Sequence, residues 1–279
     1  MHTSRFDLAC FITGALAIAP GCSEESEPTH SAVMYVAAGT RETTAFAGFL
    51  GDGFGASNCK TSQIDRCYVT TCLDGGGVQT YLDGGKVDFE GDELETTLDT
   101  GAVEDTDGNR GPGLAWVDGL PLLKDEETVT ISLRGNGDVP RVEGSVVLPP
   151  RLELTEPALE EPACRSIDPD DVTPISVDAA DDFKVKWSSE REDDIDILFM
   201  FDDIKDFPKD AERERATTIR CMYTADEETA VIPEEVVEQM PIGPGSLTLR
   251  QIVSRAEFVD NWSLTFGAYW EFCSPIEIE

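Results

Sequence analysis

Histidine, which most nucleophilic and zinc-based catalysis requires, is confined to the start of the chain. The two histidines are His2 and His30, and none follows position 30. A serine or cysteine nucleophile activated by a neighbouring histidine is therefore not available. Glycine-rich phosphate-binding motifs are also missing, since no GxGxxG follows a strand and no GxxxxGK[ST] occurs. The sequence predicts no catalytic residues and no enzyme.

One serine and one lysine have the spacing of a known catalytic motif. Ser57 and Lys60 match the S-x-x-K pattern of serine–lysine acyl enzymes, in which the motif belongs at the start of a helix with partner motifs elsewhere. Here the pair lies in a glycine-rich loop, with Cys59 between the two residues. This context favours a chance match.

Carboxylates are the most abundant chemical groups, with 56 acidic against 21 basic side chains and a net charge of −35. Pairs such as Glu192 with Asp194, or Asp202 with Asp203, have the group types that a glycosidase uses. In so acidic a chain such pairs arise by accident, and solvated surface is the better interpretation. A carboxylate-based hydrolase is the least favoured hypothesis.

Calcium is the one cofactor that the composition favours, because it prefers oxygen ligands from loops. The segment 104–109 most resembles a calcium loop. Its candidate ligands are Asp105, Asp107 and Asn109. When Gly108 is aligned with the sixth position of an EF-hand, Val103 and Leu114 occupy the positions of the first Asp and the last Glu. The segment therefore fails that template, and a hydrated turn is the better interpretation.

The N-terminus has the pattern of an export signal. Leu8 to Ala19 form an apolar stretch of signal-peptide length. The following residues, Ala19-Pro20-Gly21-Cys22, resemble a bacterial lipobox, which implies cleavage before Cys22 and acylation of that residue. We therefore expect a signal peptide over residues 1–21 and a lipidated Cys22 opening a flexible tether over 22–32. Residue 23 is Ser rather than Asp, which under the enteric sorting rule favours the outer membrane.

The remaining cysteines agree with export. Of eight cysteines, Cys10 leaves with the leader and Cys22 carries lipid. The six disulfide candidates are Cys59, Cys67, Cys72, Cys164, Cys221 and Cys273. An even set in an exported chain predicts up to three disulfides, and the 15 connectivities stay open. Cys67 and Cys72 differ by an odd number, so on one extended strand they lie on opposite faces and do not bridge each other.

The charge and composition limit the partners. A net charge of −35 argues against binding to nucleic acid or to an anionic membrane surface. An apolar content of 40% is enough for a folded core. The charge therefore predicts a solvated acidic shell around folded β modules, and it favours a salty habitat in which self-repulsion is screened.

Alternation of apolar and polar residues predicts an all-β fold. Residues 128–134, 182–188 and 263–272 place every second side chain on an apolar face, whereas 197–201 is apolar throughout and predicts a central strand. Further strands are expected at 33–37, 44–50, 66–72, 77–82, 85–90, 94–99, 114–117, 141–148, 217–223 and 246–253. Helices are expected only near 234–240 and 209–216. Trp187 and Trp270 lie on apolar strand faces, whereas Trp262 is the candidate for an exposed, sugar-binding aromatic.

A proline-rich stretch over 158–174 is the expected linker between two modules, at 33–157 and 175–279. Short strands separated by Gly, Asp and Asn turns predict antiparallel β-sandwiches in both. The second module is expected to be immunoglobulin-like in architecture only, because Trp187 is too far from Cys164 to complete the immunoglobulin pattern. One large β domain with a long internal loop is the alternative.

Several segments resemble uncharacterised lipoproteins of the myxobacterial kind. The first is LRGNGDVPRVEGSVVLPPRLELTEP at 133–157. The later segments are VKWSS at 185–189, IRCMYTADEETAVIPEEVVEQMP at 219–241 and GSLTLRQIVSR at 245–255. The resemblance implies a surface or periplasmic lipoprotein with paired β modules, and it implies no reaction.

These patterns together predict a lipid-anchored lipoprotein of the cell envelope that acts as a structural or interaction module. Its membrane contact is the lipid on Cys22, and its envelope or extracellular partner and oligomeric state are left open. A calcium-dependent or carbohydrate-binding adhesion module is the alternative.

Overall fold

The computed structural model describes the chain from residue 28 onward, with gaps. The described residues are 28–39, 42–51, 59–73, 82–101, 113–151, 153–157, 173–188, 194–201 and 215–279. Over these ranges nearly all regular structure is β-strand, with one short α-helix and one 3₁₀ turn. The predicted all-β class is confirmed. No helix in the described ranges has the length and apolar character needed to cross a membrane.

The described strands follow in chain order. They are β1 (His30–Ala38), β2 (Thr43–Leu50), β3 (Cys59–Ile64), β4 (Cys67–Leu73), β5 (Lys86–Glu90), β6 (Glu95–Asp99), β7 (Leu114–Leu120), β8 (Thr128–Leu133), β9 (Val142–Val147), β10 (Glu153–Glu156), β11 (Ile175–Val177), β12 (Phe183–Ser188), β13 (Asp194–Phe201), β14 (Arg215–Thr224), β15 (Thr229–Ile232), β16 (Gly243–Val259) and β17 (Trp262–Ile278). The helix α1 spans Glu234–Val237, and the 3₁₀ turn spans Ala225–Glu227.

The expected helices are shorter than predicted or fall elsewhere. The first one ends at Val237, before the predicted end at residue 240, although Met240 still donates a turn hydrogen bond to the Val237 carbonyl. In the second, residues 215 and 216 begin β14, and 209–214 lie outside the described residues. Of the predicted strand 77–82, only residue 82 is described, and it is not in a strand.

The chain divides into two compact units that are not consecutive in sequence. Unit 1 comprises Met1–Gly55, Gln79–Leu148 and Val253–Tyr269, and unit 2 comprises Ala56–Val78, Pro149–Ile252 and Trp270–Glu279. These boundaries differ from the expected modules 33–157 and 175–279, because β16 and β17 each contribute one half to each unit. Most of the expected linker 158–174 lies outside the described residues.

Unit 1 contains two sheets that pack face to face. One has the order β16-β17-β1-β2-β7 and the other β6-β5-β8-β9. Gly144 in β9 faces the ring of Phe266 in β17, where an added Cβ would lie 2.9 Å from the phenyl Cγ. The indole Nε1 of Trp262 donates to the Asp138 carbonyl, between β8 and β9, at 3.0 Å. This arrangement is a β-sandwich.

Unit 2 contains a larger sheet ordered β3-β4-β14-β13-β16-β17 and a small one ordered β10-β12-β15. Aromatic contacts join the sheets, since Phe183 in β12 meets Phe199 in β13 with ring centroids 5.7 Å apart. The indole Nε1 of Trp187 also donates to the Ala225 carbonyl at 2.7 Å. The sequence predicts antiparallel pairing throughout, whereas β11 pairs with β17 in parallel.

The central strand predicted at 197–201 is confirmed for the side chains that the structure describes. Strand β13 lies between β14 and β16. Ile197 and Phe199 on one face and Leu198 on the other are all buried. A strand covered on both faces accounts for its continuous apolar run.

Three of the four tryptophans are buried, and for one of these three the prediction is wrong. Trp187 and Trp270 are core residues as predicted. Trp262, the expected exposed aromatic, has only 1% of its surface accessible. Its flanking Asp260 and Asn261 form the turn before β17, but the indole itself points into unit 1 and packs edge-on against Phe49.

Candidate functional site

The first candidate site is the place where the N-terminal segment joins unit 1. The turn between β16 and β17 consists of Asp260 and Asn261, and Asp260 adopts a φ of 53°, which Asp tolerates better than most residues. The Asn261 carbonyl accepts hydrogen bonds from the amides of Thr29 and His30, both at 3.1 Å. We name Thr29, His30, Asn261 and Trp262 the attachment cluster.

Side chains reinforce the attachment cluster. The Nδ2 of Asn261 lies 2.9 Å from the Nδ1 of His30 and 3.3 Å from the Oγ1 of Thr29. The His30 ring stacks on Trp262 with centroids 4.9 Å apart. The cluster thus joins the start of β1 to a buried tryptophan of the core.

The second candidate site is a row of charges in unit 2. The Nε and Nη2 of Arg250 donate to Oε1 of Glu271 at 3.0 and 2.8 Å, and both side chains are more than 90% buried. On the neighbouring strands, Arg220 donates to Asp196 at 2.6 Å. Asp196 is opposite Arg250 in register, so the two pairs lie on one face of the sheet. We name Arg220, Asp196, Arg250 and Glu271 the buried charge row.

The charges in this row alternate across four adjacent strands, β14, β13, β16 and β17. Opposite charges at neighbouring positions favour one strand register, and a slip would leave a charge without its partner. The four side chains form two ion pairs, and the row is an ion-pair network.

Among the described residues, both partners of one disulfide are predicted candidates. Cys67 in β4 and Cys221 in β14 are bonded, are opposite each other in register and are fully buried. This agrees with the prediction that Cys67 does not pair with Cys72. Cys273 is also disulfide-bonded, with its Sγ 3.6 Å from the Oγ1 of Thr248. Cys164 lies outside the described residues.

An open groove of about 620 Å³ lies in unit 2. Its charged lining residues are Glu156, Asp181, Asp182, Lys184 and Glu234. Two carboxylates already have partners, because Glu156 forms an ion pair with Lys186 and Asp182 accepts the Glu234 amide. The hydrogen bond and charge of Lys186 lower the pKa of Glu156. The groove is therefore acidic and disfavours anionic ligands.

Most other predicted site residues are not described. Cys22, Ser57, Asp105, Asp107 and Asn109 all lie outside the described residues. Asp194 opens β13, but Glu192, Asp202 and Asp203 are not described. Within the described ranges, no group of three or more Asp, Glu, His or Cys residues has a geometry suited to a metal ion.

Sequence reasoning missed the attachment cluster and the buried charge row. For the row, a signal was present, because Arg250 and Glu271 are single charges inside apolar runs of their strands. For the cluster, His30 and Asn261 are 231 residues apart. Only the strand order brings them together.

Comparisons with known proteins give little. No protein-family model and no curated protein matches this chain. One solved structure, a chimeric titin Z1Z2-Z1Z2 tandem functionalized with a GRGDS peptide from fibronectin, is 10% identical over 90% of this chain and 96% of that chain, with a TM-score of 0.17. A similarity this low carries no argument, so the fold rests on the strands and contacts described above.

Proposed function

We propose that the protein is a lipid-anchored protein of the cell envelope, without enzymatic activity, that acts as a structural or interaction module. The observation that carries the proposal is the attachment cluster. It fixes residues 29 and 30 to the β16–β17 turn, only a few residues after the expected lipidated Cys22. The resemblance of the N-terminus to a lipobox supports the same conclusion.

The tether sets how the module faces its membrane. Eight residue steps separate Cys22 from His30, which span at most about 29 Å when extended. The β16–β17 turn is then the end of unit 1 nearest the lipid. Phe258, which precedes this turn and is 70% exposed, is the large apolar side chain best placed to reach the interface.

Strand β1 is well suited to hold an anchored module. It is paired on both sides, by β17 and β2, and its residues from Ala32 to Ala38 are buried. A pull on the tether is therefore resisted by two ladders of backbone hydrogen bonds and by core packing. A terminal segment without such pairing would fray instead.

Labelling with radioactive palmitate tests the anchor. Cells expressing the full chain, the variant Cys22→Ala and the control Cys10→Ala are labelled, and the protein is isolated from membrane and soluble fractions. We expect the wild type and Cys10→Ala to carry label in the membrane fraction, and Cys22→Ala to carry none. Label on Cys22→Ala would refute the proposal.

A calcium titration separates the module from its rival. If the full chain with Cys22→Ala shows no binding heat and no change in melting temperature at millimolar calcium, the structural or interaction module is favoured. A saturable heat with a raised melting temperature would favour the calcium-dependent adhesion module instead.

A further inference from the structure

Strands β3 and β4 place two further cysteines opposite each other. In the register of this hairpin, Cys59 is the partner of Cys72, and Ile64 is the partner of Cys67. We propose that Cys59 and Cys72 form a disulfide that links β3 to β4, on the face of the sheet opposite to the Cys67–Cys221 bond.

The backbone distance suits such a bond. Directly opposite residues of antiparallel strands have Cα atoms about 4.5–5.5 Å apart, and disulfides join Cα atoms about 4.4–6.8 Å apart. The same sheet already contains one disulfide between register partners, Cys67 and Cys221. A second bond of this kind requires no change in strand pairing.

The alternation of faces along β4 excludes Cys67 as the partner of Cys72, and the strand on the other side of β4 offers no cysteine at that position. Cys72 is five positions after Cys67 in β4, so the two lie on opposite faces. On the other side of β4, the register partner of Cys72 is Ala216, which has no thiol. Among the described strands that pair with β4, the cysteine in register with Cys72 is therefore Cys59.

The location gives the bond a role. Strand β3 is the edge of its sheet and is mostly polar, with the sequence CKTSQI. A polar edge strand is weakly specified in register and prone to slip or to pair with other chains. The hydroxyls of Thr61 and Thr70 lie 3.0 Å apart, but such a bond is weak. A covalent link between Cys59 and Cys72 fixes the register of this edge.

Formation of the bond is an ordinary thiol–disulfide exchange. A disulfide oxidant, such as an envelope thiol oxidoreductase, is attacked by the thiolate of one cysteine to give a mixed disulfide. The second thiolate then attacks the protein sulfur of that mixed disulfide and expels the oxidant as a dithiol. The protein loses two electrons and two protons, and the oxidant gains them.

Peptide mapping tests the connectivity. The full chain is isolated from the cell envelope without reductant, alkylated, and digested first with trypsin and then with chymotrypsin. Trypsin cuts after Lys60 and Arg66, and chymotrypsin cuts after Tyr68, so Cys59, Cys67 and Cys72 fall on separate peptides. We expect the peptide ending at Lys60 to be linked to the peptide that starts at Val69. A link from Cys59 to Cys67, or an alkylated Cys59, would overturn the proposal.

Thiol counts in matched variants give a second readout. The protein is unfolded without reductant and labelled with a maleimide. We expect one more labelled thiol than wild type in Cys59→Ser and in Cys72→Ser, and no additional thiol in the double variant. If the double variant exposes two additional thiols, the two cysteines have other partners and the proposal fails. The palmitate experiment does not depend on this result, so the two proposals can fail separately.

Discussion

Breaking the buried Arg250–Glu271 pair should destabilise unit 2 strongly, whereas replacing both members should not. The single variants are Arg250→Met and Glu271→Met, and the third variant combines them. Removing one member leaves the other as a buried charge without its partner, which is costly. Removing both leaves an apolar pair of similar volume.

The size of the effect follows from the geometry. With an effective dielectric constant of about 20, unit charges 2.8 Å apart attract by roughly 6 kcal/mol. Desolvating each ion costs several kcal/mol, so the net contribution of the pair is small. We expect each single variant to lower the free energy of unfolding by about 3–5 kcal/mol. Arg250→Met should be the more destabilising of the two variants, because it leaves the buried Glu271 carboxylate without this arginine. In Glu271→Met, by contrast, Arg250 still lies opposite the carboxylate of Asp196, which also pairs with Arg220.

Urea unfolding followed by circular dichroism and tryptophan fluorescence measures the loss. Trp270 is next to Glu271 in β17 and reports on the same unit. The matched control is the ion pair Lys186–Glu156, also in unit 2, whose side chains are 46% and 48% exposed. Replacing either member of this exposed pair should cost less than about 1 kcal/mol.

The double variant tests whether Arg250 and Glu271 are energetically coupled. We expect it to recover most of the loss of either single variant. If the double variant is as unstable as the sum of the singles, or if each single costs no more than the exposed control, the pair is not the coupled, buried interaction described here.

Three further outcomes are expected. Because the chain has a net charge of −35, its melting temperature should rise from low to moderate salt as self-repulsion is screened; a flat or falling response would contradict this. The Thr224 amide and then Arg66 lower the pKa of Glu227 below 4.5, so their contribution to stability is present above that pH and is lost as the pH falls through the lowered pKa. The wild type should therefore melt at a higher temperature than Arg66→Gln near neutral pH, and this difference should shrink toward zero in acid. A difference that does not depend on pH would count against the ion pair. In calorimetry, Gly267→Ala should lower the melting temperature, because its Cβ would lie 2.0 Å from Cε1 of Tyr35, and overpacking of this kind costs about 1–3 kcal/mol; an unchanged melting temperature would show that the ring moves aside.

The local pattern of apolar and polar residues was sufficient to predict the strands that have one apolar face. The alternation at 128–134 and 182–188 predicted β8 and β12, and the apolar run at 197–201 predicted the core of β13. It did not predict β3, β10, β11 or β15. These strands have three to six residues, and most of their stability comes from the partners with which they pair.

Pairing between distant segments could not be predicted from local pattern. The division of β16 and β17 between the units depends on which strands lie beside each half. Trp262 illustrates the same limit. Its polar neighbours suggested exposure, but its own side chain faces the second sheet of unit 1.

The last two strands also constrain how the protein is made. Unit 1 requires Val253–Tyr269 and unit 2 requires Trp270–Glu279. Neither unit can therefore complete its larger sheet before β16 and β17 have been synthesised. Such late, long-range pairing slows folding and prolongs exposure of unpaired strand edges. Deletion of residues 253–279 would therefore remove strands from both units at once.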